Sequence, residues 1–151
     1  MLFAVGAVLL ATGPVLVLRG RAGREQIQHE LTTQKIVFPR VDDLPDALTR
    51  YAGLQVTTGE QALAFAELIG THVTQATAGR TYAEIADEWQ AGGRTDQRLG
   101  KLRETAFMGQ TLRGSLLGAY QAWQITTLVA GLGCLLTAIG VAFLALGVTW
   151  P

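Results

Sequence analysis

Apolar and polar positions are segregated along this chain instead of being mixed through it. From Leu2 to Leu18 seventeen residues pass without a charge, and from Gly114 to Pro151 thirty-eight more do; every Asp, Glu, Lys and Arg lies between Arg19 and Arg113. Within the second run, Ile125 to Val148 is free of charge and proline. As a helix it would be about 36 Å long, enough to cross a hydrocarbon core of about 30 Å. Tyr120 and Trp123 at one end and Trp150 at the other have the placement of aromatic rings at the two membrane interfaces. The first run is shorter, about 25 Å as a helix, and contains Gly13-Pro14. It reads as an anchor and not a cleaved signal, because its basic residues Arg19, Arg21 and Arg24 follow the apolar stretch instead of preceding it. Pro14 predicts a kink, since neighbouring groups in a membrane bundle can satisfy the freed carbonyl. The apolar run begins at Met1 itself, which leaves room for an upstream start and a longer span.

Each run carries glycine every seven residues: Gly6, Gly13 and Gly20 in the first, Gly133, Gly140 and Gly147 in the second. Seven residues is nearly two turns, so each trio forms one stripe, and a left-handed crossing removes the slow drift. Small residues let backbones approach in lipid, where no hydrophobic effect drives helices together. The expectation is an antiparallel hairpin packed through these stripes, or pairing of the stripes between subunits.

The polar middle is read as mostly α. Ile27 and Leu31 at helical spacing carry the first helix out of the membrane to about Gln34, and Pro39 ends it. Asp42 to Asp46 is an irregular link into a short helical turn. Thr57 with Glu60 is a T-x-x-E capping box opening a helix whose apolar face is Ala62, Phe65, Ala66, Ile69 and Val73 and which closes at Ala78-Gly79. Thr81 with Glu84 opens a shorter helix, broken by Gly92-Gly93. A long helix from about Thr95 then runs into the second span. The expected core is Phe65, Ile69, Tyr82, Ile85, Trp89, Leu102 and Phe107, and no stretch shows a sustained period of two. The organisation is therefore a transmembrane helix over 2–18, a helical extramembrane domain over 19–119, and a second transmembrane helix with interfacial flanks over 120–150.

Charge and candidate chemistry change this picture little. Twelve basic and twelve acidic residues cancel, so no overall field draws the chain to nucleic acid or to an anionic membrane surface. The single cysteine, Cys134, lies in the second apolar run, where it forms no intrachain disulfide and has no nearby base to activate it. His29-Glu30 begins like an H-E-x-x-H zinc helix, but Thr33 holds the place of the second histidine. Ala91-Gly92-Gly93-Arg94 lacks the lysine and hydroxyl of a phosphate loop. Neither span carries an ionisable residue, which argues against an ion pathway through this chain alone. No catalytic, cofactor-binding or metal-binding set is assigned.

Glu30 to Ile36, Tyr51 to Gly59, the helix with Ala66, Ile69 and His72, Gly79 to Glu84, and Leu112 to Leu116 together cover most of the middle segment. In these stretches the chain resembles a family of small actinobacterial two-span membrane proteins of unknown function, often labelled as aromatic ring-opening dioxygenase subunits. The resemblance implies two spans around a helical domain, and it carries over no functional residue. A ring-opening activity would demand an iron held by histidine and carboxylate side chains. The leading expectation is a multi-pass cell-membrane protein that acts as a non-catalytic accessory or interaction protein, with the lipid bilayer and a protein partner or a second copy as its contacts. The alternative is a membrane-bound enzyme of the dioxygenase type. Arg19, Arg21, Arg24 and Arg113 flank the spans on the loop side, which points to a cytoplasmic middle domain.

Overall fold

The structure is a computed structural model and describes residues 1–149. Four α-helices dominate it: α1 (Leu2–Thr33), α2 (Gly59–Thr77), α3 (Tyr82–Ala91) and α4 (Gln97–Thr149), with two 3-10 turns, Val41–Asp43 and Asp46–Tyr51, in the connection between α1 and α2. The two apolar helices α1 and α4 pack against each other, and the small helical domain lies between them in the chain. Compact packing divides the chain into two units, one made of Met1–Thr33 with α4 from Gln121 onward, the other of Gln34–Tyr120.

The first unit is an antiparallel helix pair. A Cβ built on Gly6 would fall 3.0 Å from the Gly140 carbonyl oxygen, one on Gly13 2.7 Å from that of Gly133, and one on Gly20 2.9 Å from that of Thr126. Each step of seven up α1 is thus matched by a step of seven down α4. Backbone sits where a side chain would otherwise begin, so the contact depends on the missing Cβ atoms. Gly6, Gly13 and Gly20 are buried in α1, and Gly133 and Gly140 in α4, whereas Gly147 is half-buried and a Cβ there would meet Phe3 at an ordinary 3.6 Å. The two trios are offset by one heptad: Gly20 faces Thr126 and Ala130 instead of a third glycine. Apart from this seam the apolar stretches of the two helices are uncovered. In the most apolar stretch of each, only 11% of residues are buried, where a helix in the core of a water-soluble domain would be mostly buried. Both helices are long and apolar enough to cross a membrane.

The second unit is built around α2. Its N-terminus is fixed by a capping box, one residue later than the sequence suggested. Thr58, not Thr57, accepts from the Gln61 amide at 3.3 Å, and the Gln61 side-chain oxygen accepts from the amides of Thr58 at 3.0 Å and Thr57 at 2.8 Å. The segment holds two overlapping motifs. The glutamine version is used because its carbonyl satisfies two amides and the Thr57 hydroxyl, at 3.1 Å, while Glu60 stays exposed to water. The other end closes as expected, with Ala78 and Gly79 both left-handed (φ 52° and 80°) and the Gly79 amide donating to Thr74 O at 2.8 Å.

Along α2, Ala62, Ala66, Val73 and Thr77 are buried on one side, and Ala64 and Leu68 on the other. The helix is therefore enclosed on both faces. The connection from Gln34 supplies part of the cover: Phe38 stacks on Tyr51 (centroids 5.1 Å apart) and meets Phe65 edge-on at 5.0 Å. That connection is pinned by an isolated antiparallel bridge between Val37 and Gln55, with Phe38 N–H donating to Leu54 O and Val56 N–H to Ile36 O, both at 2.9 Å. On another side, the start of α4 approaches Ile69 and Val73 at Gly109, where a Cβ would run into the Val73 side chain. The helix α3 opens on the Thr81–Glu84 capping box and buries Ile85 and Ala86.

The core of this unit thus differs from the seven residues expected. Ile85 is fully buried, and Phe65, Ile69, Trp89 and Leu102 are half-buried, but Tyr82 (39% exposed) and Phe107 (56% exposed) face outward. Their places are taken by Phe38, Leu44, Leu48, Val56 and Leu68, the first four of which belong to the connection between α1 and α2, where the sequence offered no core residue.

Candidate interaction surface

In the first unit, one end of the helix seam is closed by a polar cluster. Trp123 is buried, 8% exposed, and the Arg24 guanidinium lies 4.5 Å above its ring while donating a hydrogen bond to the Thr127 hydroxyl. The hydroxyls of Thr126 and Thr127 donate in turn to the Trp123 carbonyl at 2.7 and 3.1 Å. Arg24 stands one turn beyond Gly20, and Trp123 nearly one turn before Thr126, so each extends its helix's small-residue stripe. The cluster therefore fixes the register of the two helices as well as capping their contact. The sequence drew attention to Trp123 as an interfacial ring but missed its pairing with Arg24. Tyr120 is half-buried and belongs to the other unit, and Trp150 lies outside the described residues.

In the second unit, an open groove of about 1010 Å³ runs between α2 and the first part of α4. Its floor includes Val73, Ala76 and Gly109, and its rim His72, Lys101 and Glu104. Phe107, Met108 and Leu112 stand out from it at 56%, 60% and 40% exposed. Tyr82 extends the apolar surface, its ring 5.7 Å from that of Phe107. Phe107, Met108 and Leu112 thus leave neighbouring large apolar side chains uncovered along this part of α4. The signal was present in the sequence. The core stripe of α4 is Leu102, Ala106, Gly109 and Leu116, and on a helical wheel Phe107 and Met108 cannot both join it.

A second, polar cleft of about 630 Å³ lies between the end of α2 and the start of α4. Its charges are largely engaged. Glu88 is paired to Arg80 at 2.8 Å, the ion pair found among the described residues, and Asp96 accepts from the amides of Arg98 and Leu99 at 2.8 and 3.0 Å as the cap of α4. Glu84 has its pKa held below the ordinary glutamate value, first by the Thr81 amide, then by the Thr81 hydroxyl, with a smaller contribution from Arg80. This shift belongs to helix capping and not to a reacting group.

His29 is exposed on α1 and His72 on the rim of the apolar groove. Among the described residues, no three His, Cys, Asp or Glu side chains come together as metal ligands would. Comparison with protein-family models, with curated proteins and with solved structures finds no match.

Proposed function

We propose that this chain is a two-span membrane protein whose helical domain docks a protein partner beside the bilayer, acting as an accessory subunit and not as an enzyme. The observation that carries the reading is the groove of the second unit, with Phe107, Met108 and Leu112 exposed on a helix that needs none of them for its own core. A groove with an apolar floor and His72, Lys101 and Glu104 on its rim suits an amphipathic helix, which lays its apolar face into the floor and its charged flanks against both signs of the rim. The uncovered apolar surface of α1 and α4 supports the membrane reading. Arg19, Arg21 and Arg24 just after the apolar stretch of α1, with no lysine or arginine in α4 from Gln121 onward, favour a cytoplasmic domain under the positive-inside rule.

A photo-crosslinking amino acid at Met108 in the full chain, expressed in its membrane, tests the docking. The expected result is one discrete protein adduct, lost when Phe107 is changed to Asp and missing when the probe stands at Glu60. An adduct of twice the chain's mass would make the partner a second copy. Retention of the adduct in Phe107→Asp, or no protein adduct at Met108, would refute docking at this surface.

A further inference from the structure

Along the helix pair of the first unit, the seam leaves an open groove of about 540 Å³ lined by Pro14, Val17, Leu18, Cys134, Thr137 and Ala138, with Arg21 at one end. Every lining group except that arginine is apolar or, like Thr137, already satisfied: its hydroxyl donates to Gly133 O at 2.8 Å. From Pro14 to Arg21 is about 10 Å of helix rise, most of the roughly 15 Å depth of one leaflet. The groove thus has the form of a slot for one hydrocarbon chain with a guanidinium at its polar end.

Charge decides which lipid it fits. Among the described residues, Arg21 has no carboxylate within ion-pair distance. Arg24 stands one turn further along α1, Arg19 lies on the opposite face of the helix, and the nearest acid in the chain is Glu25, one turn beyond Arg21. Arg24 keeps its place by the bond to Thr127 and the Trp123 ring, so its charge is fixed beside the groove instead of swinging away. Two guanidiniums, Arg21 in the groove and Arg24 beside it, against the one carboxylate of Glu25 leave a net positive end to an apolar slot. Guanidinium is suited to phosphate, which it binds through paired N–H donors.

We propose that this groove is a binding site for an anionic phospholipid, with one acyl chain against Pro14, Leu18, Cys134 and Ala138 and the phosphate on Arg21. The site rests on the two-span reading above, and it adds a specific ligand to it: the lipid lies across the open side of the α1–α4 seam and holds the two helices together at the arginine end.

Native mass spectrometry of the full chain in mild detergent, titrated with phosphatidylglycerol or phosphatidylcholine of identical acyl chains, reads the site directly. One phosphatidylglycerol should be retained per chain, several-fold more tightly than phosphatidylcholine. Arg21→Gln should weaken phosphatidylglycerol about fivefold, the scale of one basic residue facing an anionic lipid, and leave phosphatidylcholine unchanged. Ala138→Phe, which fills the slot from a lipid-facing position, should release both lipids, with unaltered helix content by circular dichroism showing that the variant is folded. Equal retention of the two lipids by the unaltered chain, or retention insensitive to both substitutions, would overturn the proposal. So would displacement of the lipid by inorganic phosphate alone, since that would leave the acyl slot without a role. Resistance of the chain to carbonate extraction from membranes is measured in parallel. If it is extracted, the two-span reading itself fails, whereas an embedded chain without lipid preference defeats only this site.

Discussion

At Gly13 and Gly133 the fold of the helix pair comes down to single hydrogen atoms. A Cβ on Gly133 would stand 2.6 Å from the Gly13 carbonyl oxygen and 2.8 Å from the Val17 amide nitrogen. Both neighbours are backbone, which cannot rotate away. Gly133→Ala should therefore cost about 1–3 kcal/mol, the range for overpacking a close contact, and lower the thermal midpoint of the detergent-solubilised chain. Gly147→Ala, facing Phe3 at 3.6 Å, should leave it unchanged. Glu84 supplies a second prediction at this scale. Its folded pKa lies below that of an exposed glutamate because the Thr81 amide and hydroxyl both donate to the ionised carboxylate, at 2.8 Å each. A depressed carboxylate stabilises the fold above its unfolded pKa, and that contribution is lost as pH falls through the folded value. Glu84→Gln keeps an acceptor for the Thr81 amide but not the charge, so its melting temperature should lie below that of the unaltered chain at neutral pH. The two should converge in acid beyond the ordinary glutamate range.

At the scale of elements, the start of α2 shows why part of the fold was readable and part was not. Thr57-x-x-Glu60 and Thr58-x-x-Gln61 are adjacent copies of one motif, and local propensity does not choose between them. The choice rests on which acceptor can collect the amides of both Thr57 and Thr58, a property of the folded connection. Thr58→Ala should cost about 1 kcal/mol, as loss of an N-cap hydroxyl does, while Glu60→Ala should change the urea midpoint little; the reverse order would restore the earlier register. Helix α3 presented a single such motif and was read correctly from Thr81. The core was harder. Phe38, Leu44, Leu48 and Val56 sit in extended chain and 3-10 turns without a repeating period, so nothing local marks them as buried. Phe107 was misplaced because a large apolar residue on a helix was taken for core, although the wheel positions of Ala106 and Leu116 already filled that side. The glycine stripes needed no such information, since heptad spacing and apolar surroundings are both written in the chain. The groove beside Met108 involves α2 and α4 together, and a sequence does not show which helices become neighbours.

For the whole molecule, the question left by the stripes is whether they are used up within one chain. Gly6, Gly13 and Gly20 each face α4 of the same chain, and the seam ends on the Arg24–Trp123 pair. From Leu2 to Glu30 the buried residues of α1 are these three glycines, whereas Gly114, Gly118 and Gly131 of α4 face open space. Contacts of the seam's kind, within one chain, have a free energy that does not depend on protein concentration. Gly140→Leu should open the seam, since the added side chain would meet Leu10 N and Gly6 O at 2.8 and 2.9 Å from its first carbon. Each apolar helix is long enough to stay in the bilayer alone, so the variant should remain in carbonate-washed membranes while its thermal midpoint in detergent falls. The unaltered chain should unfold at the same temperature when diluted tenfold at a fixed detergent-to-protein ratio. A midpoint that drops on dilution would move the glycine contacts from one chain to two.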